Sequence, residues 1–97
     1  MPSDWPFDQG PNAAAVTTRQ VIEQKFPILC VTHYSDDHSW GFVCGTTDVT
    51  EDGRVIAMSE ALEIDPTLRE IADLPPGWTA RRVRVGSIWQ RAYDAKT

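Results

Sequence analysis

The pattern of apolar and polar positions is clearest between Pro27 and Thr46, PILCVTHYSDDHSWGFVCGT, where two apolar runs flank the polar SDDHS. Ile28–Tyr34 is β-branched and aromatic, and its near-continuous apolar start predicts a central strand covered on both faces. Ser35–Ser39 has the length of a four- or five-residue hairpin loop, and Asp36 and Asp37 suit turn positions by bonding to their own backbone. Trp40–Thr46 is the return strand, in which Gly41 and Gly45 mark a bulge or a close backbone approach. This hairpin is the centre around which the other elements are arranged.

Ahead of it, Met1–Asn12 carries Pro2, Pro6, Gly10 and Pro11 and is predicted to be an extended arm. Its Trp5 and Phe7 would lie over the core, each ring worth about 2 to 3 kcal/mol when buried. An arm that docks those aromatics on a partner is the rival reading. Residues 13–97 make the rest of the domain. Within Ala13–Phe26 a helix is predicted from Thr17, because Thr17 and Gln20 have capping-box spacing and Val21, Ile22 and Phe26 share a side; Pro27 stops it. A polar loop from Thr46 to Gly53 leads into a short strand, Arg54–Met58, and Ser59–Ile64 has room for one or two helical turns. Asp65 as N-cap with Pro66 at the first position opens a clearer helix, with Leu68, Ile71 and Ala72 on one face, ended by Pro75 and Pro76. Trp78–Val85 alternates as a strand, with Trp78, Ala80, Arg82 and Arg84 on one side; Ser87–Tyr93 is a last short strand or a tail packing Ile88 and Trp89. Together these predict a single α+β domain: an antiparallel sheet of about four strands with two helices, Thr17–Phe26 and Pro66–Leu74, packed against it.

Composition narrows the class. A chain of 97 residues holds one domain and one core, and 41% hydrophobic with 24% charged residues is a globular balance. A formal net charge of −5, with a pI near 4.8, speaks against a nucleic-acid-binding module, which needs a basic footprint to neutralise phosphates. The charge is uneven. From Asp48 to Asp73 eight acids face only Arg54 and Arg69, a balance of −6, whereas from Arg81 onward five bases face only Asp94, a balance of +4. Two surfaces that meet in the fold explain this more simply than two faces offered to different partners. The opening MPSDWPFDQGPN lacks the basic and apolar regions of a signal peptide, and no apolar run reaches the length of a membrane span, so the expected location is the cytoplasm. There Cys30 and Cys44, one in each arm of the hairpin, are expected as buried thiols rather than a disulfide, although opposed strands make a bridge conceivable.

The densest polar cluster is His33, Asp36, Asp37 and His38, with Cys30 and Cys44 nearby in sequence. It invites a metal site or a thiol nucleophile. The histidines are five apart, however, with no paired CxxC, and cysteines inside apolar strands are usually inert. Adjacent Asp36 and Asp37 would point to opposite faces of a regular strand rather than flank one bond. The chain has no nucleophile elbow, phosphate loop or dinucleotide fingerprint. No catalytic residue, metal or cofactor is assigned on these grounds. The run Arg81, Arg82, Arg84 beside Trp78 could stack on bases, but charges on an edge strand also guard against aggregation.

The segments SWGFVCGTTD, RVIAMSEALEIDPTLREIADLPPGW, TARRV and WQR follow one another in an order that resembles a family of small bacterial proteins of unknown function. Some of its members are predicted immunity proteins of polymorphic toxin systems. The resemblance covers about the last sixty residues and rests on Trp40, Phe42, Gly45, Asp65, Pro66, Leu68 and Gly77, which are mostly structural. It implies a non-enzymatic protein-binding domain, an immunity-type inhibitor of a toxin being its concrete form. An acidic surface would suit a basic partner, and Asp36, Asp37, Trp40, Asp48 and Glu51 are the predicted partner-binding residues. The alternatives are a small metal-dependent or thiol enzyme using His33, His38 and the nearby acids, and a structural homodimer joined through exposed tryptophans.

Overall fold

A computed structural model describes residues 5–45 and 52–93 of the chain. The elements in order are β1 (Ala14–Thr18), α1 (Arg19–Glu23), β2 (Cys30–His33), β3 (Trp40–Val43), β4 (Gly53–Ala57), α2 (Met58–Ile64), a 3-10 helix (Pro66–Ile71), β5 (Trp78–Arg81) and β6 (Gln90–Tyr93). The strands form one mixed sheet in the order β4-β1-β3-β2-β5-β6. The α+β class holds, but among the described residues the sheet has six strands rather than about four, it is not wholly antiparallel, and three helices accompany it.

The largest correction lies at residues 14–26. Thr17 opens no helix: Ala14–Thr18 is a strand that pairs parallel with β3 (Ala15 opposite Trp40, Val16 opposite Gly41) and antiparallel with β4. Val16, Thr17 and Thr18 are β-branched and fit an extended chain, and pairing on both sides outweighs the capping-box spacing. The helix is confined to Arg19–Glu23, with Thr18 as an N-cap that makes no side-chain cap bond. Just beyond its end stands Lys25, whose φ of 61° is the left-handed value usually taken by glycine, and this turn brings the Phe26 amide back to the Gln20 carbonyl at 3.1 Å.

The predicted hairpin is present, with strands shorter than Ile28–Tyr34 and Trp40–Thr46, and Thr46 lies outside the described residues. β2 pairs antiparallel with β3 (Val31 opposite Phe42, His33 opposite Trp40) and on its other side with β5, so it sits inside the sheet. Gly41 is a close approach: a Cβ there would come within 3.1 Å of the Tyr34 hydroxyl. The second helix expected through Leu74 is a 3-10 helix that stops at Ile71. The cap at its start is present, the Asp65 carboxylate accepting from the Thr67 amide at 3.0 Å. β5 ends at Arg81 rather than Val85, and β6 pairs with β5 as the outer strand.

One face of the sheet carries Trp40, Phe42, Val31, His33 and Ala80, alternate positions of paired strands. Over it lie the helices, with Met58, Ala61, Leu68 and Ile71 buried, and the N-terminal arm, whose Phe7 enters the core. Phe7 meets the Trp40 ring edge-on at 4.9 Å, and Trp5 rests against Phe7 at 5.7 Å. Trp5, Trp78 and Trp89 are half-buried against the core and Trp40 is fully buried, so no tryptophan is offered as an exposed self-interface.

Candidate functional site

The β2–β3 turn is built by its own acids. The Asp36 carboxylate accepts from the Asp37 amide at 2.8 Å, Asp37 accepts from the Ser39 amide at 3.0 Å, and the Tyr34 amide donates to the Ser39 carbonyl at 2.9 Å to close the loop. His38 takes a left-handed φ of 61° here, a conformation histidine tolerates better than most residues. Hydrogen bonds from the Ser39 side chain and backbone hold the Asp37 carboxyl below the ordinary aspartate value. Asp36 and Asp37 are both exposed, and neither pairs with a cation among the described residues.

Trp40 is corrected. Its side chain is 0% exposed, and as the first residue of β3 it points into the core, which removes it from any partner-binding surface. The indole N–H donates to the Asp8 carboxylate at 2.9 Å, and the ring stacks on His33 with centroids 4.0 Å apart. Asp48 and Glu51 lie outside the described residues.

His33 is equally committed to the interior. Its Nδ1 is 2.7 Å from the Leu74 carbonyl, and because a carbonyl only accepts, Nδ1 carries a hydrogen. Nε2 lies 3.1 Å from the other oxygen of Asp8, without hydrogen-bond alignment. The His38 ring is near, with centroids 6.0 Å apart, but the acid that meets His33 comes from the arm and not from the turn. Among the described residues no three His, Cys, Asp or Glu side chains gather as a metal site. Cys30 and Cys44 are buried free thiols. Burial pushes the Cys30 thiol up, only partly offset by Arg81, which disfavours the thiolate a nucleophile needs. Among the described residues, His33, His38, Asp36, Asp37 and the two cysteines are thus not gathered into one metal or thiol centre.

Two constellations went unread in the sequence. Asp8 was not singled out, since its role arises only when the arm crosses the hairpin. Arg82 was read as surface charge. It is buried, paired with Asp65, hydrogen-bonded to the Thr67 hydroxyl at 2.9 Å and the Ile28 carbonyl at 2.9 Å, and covered by the Trp89 ring at 4.2 Å. The alternation that placed it on the side of Ala80 was the available signal, because Ala80 is fully buried. Arg91 likewise pairs with Asp73 at 2.8 Å. Through Arg82 and Arg91 the acidic and basic segments of the chain meet one another in the fold, while Arg81 and Arg84 are exposed and make no ion pair among the described residues.

No protein-family model matches the chain, and no curated protein or solved structure matches it either. No helix among the described residues is long and apolar enough to cross a membrane.

Proposed function

We propose that this chain is a non-enzymatic protein-binding domain acting in the bacterial cytoplasm, and that its concrete form is an immunity-type inhibitor that engages a basic toxin. The observation that carries the reading is the β2–β3 turn. It presents two exposed carboxylates, fixed by the turn's own hydrogen bonds and unpaired by any cation among the described residues, while Arg82 and Arg91 are occupied by Asp65 and Asp73. A rigid anionic projection on a chain of net charge −5 suits a cationic surface, steering the encounter and fixing its register. The resemblance of the later two-thirds of the chain to predicted immunity proteins supplies the biological form.

Co-expression with toxin genes encoded beside it tests the reading. Rescue of growth together with a stable complex is the supporting result. A chain that neither binds nor protects against any neighbouring toxin overturns it. Replacing Asp36 and Asp37 by lysine tests the surface separately: full protection by that variant moves the contact off this turn.

A further inference from the structure

At the other end of β2 from the acidic turn, the chain leaves an open groove of about 680 Å³ between the end of α1 and the end of α2. Val21 and Ile22 line one wall and Ile64 the other, with Ile28 at the floor and Val85 beside them. Three bulky apolar side chains stand partly in water at its mouth: Phe26 is 39% exposed, Ile64 43% and Val85 49%. They are three of the eight exposed large apolar side chains among the described residues, and their grouping at one groove is the kind of surface an interaction site uses.

The charges at the groove indicate what covers it. Lys25 stands on the α1 wall and Glu63 on the α2 wall. They do not pair with each other, and neither has an ion pair among the described residues. Glu60, also on the α2 wall, is engaged at the start of α2, where it accepts from the Ala57 amide. A partner that brings an acid to the Lys25 wall and a base to the Glu63 wall complements both. A second copy of this chain supplies that order when the two-fold axis runs along the groove, because the α1 wall of one copy then faces the α2 wall of the other. Lys25 holds its place at the lip in the left-handed backbone region, where glycine would be unstrained.

We infer that this groove is a self-association surface. Two chains join about a two-fold axis with Phe26 of each copy seated in the groove of the other and Lys25 of each opposite Glu63 of its mate. The site lies at the far end of β2 from Asp36 and Asp37, so it stands or falls independently of the toxin-binding reading and leaves that turn free in the dimer.

Sedimentation equilibrium of the purified chain over micromolar to millimolar concentrations tests this. The expected result is a reversible dimer of twice the 10.9 kDa chain mass. Lys25→Glu and Glu63→Lys alone should each weaken it by about tenfold or more, as for the loss of a close charge pair, and the two together should restore it. Phe26→Ser should give a monomer with unchanged far-ultraviolet circular dichroism. A chain that stays monomeric throughout overturns the inference, as does a dimer indifferent to both charge reversals and to Phe26→Ser.

Discussion

Arg82 donates to Asp65, Thr67 and the Ile28 carbonyl from a fully buried guanidinium. Removing one partner of such a pair leaves the other charge buried and uncompensated, which costs far more than the pair itself contributes. Arg82→Ala should lower the unfolding free energy by about 3 to 5 kcal/mol, measured by urea denaturation. A loss below about 1 kcal/mol would mean that Asp65 is solvated, as surface pairs are. The exposed pair Asp73–Arg91 behaves differently. The hydrogen bond from Arg91 holds the Asp73 carboxyl below its ordinary value, against a small opposing effect of burial. Because the folded value lies below the unfolded one, this contribution is complete above the unfolded titration and is lost as pH falls through the folded value. Solvent screening limits it to a few tenths of a kcal/mol. Carboxyl titration by nuclear magnetic resonance should show Asp73 moving up to an ordinary aspartate value in Arg91→Ala; an unmoved Asp73 would show that the arginine is not the cause.

Among the elements, the N-terminal arm is bound to the hairpin by both apolar and polar contacts. Phe7 packs on Trp40 and Phe42, and Asp8 joins the Trp40 indole to His33. Phe7→Ala should cost about 3 to 5 kcal/mol, the range for a buried phenylalanine, and should speed exchange of the Trp40 indole hydrogen. Wild-type stability in that variant would show that the arm is dispensable to the core. The local signals were legible in sequence where they were sufficient. SDDHS carries its own turn chemistry, and Asp65-Pro66 carries its own helix start, so both were placed correctly. β1 was not legible, because its partners are residues 40–41 on one side and 53–57 on the other, and nothing within 14–18 announces them. The same limit hid the role of Asp8. It also made His33 look like a free ligand, when one ring nitrogen is bound to a carbonyl forty-one positions away.

Across the whole molecule, the two ends of β2 carry different surfaces. One is the anionic turn and the other the apolar groove, with the core and the arm between them. The internal pairing of the acidic and basic segments leaves Asp36 and Asp37 as fixed negative charges without cationic neighbours among the described residues. The most direct measurement of the proposed role is the association rate of the purified chain with a basic toxin encoded beside it, at several salt concentrations, compared with the variant carrying lysine at both positions. Contact through this turn predicts fast association that slows with added salt, and a large drop in rate, with a flatter salt dependence, in the variant. Equal rates and equal salt dependence for the two proteins would contradict it.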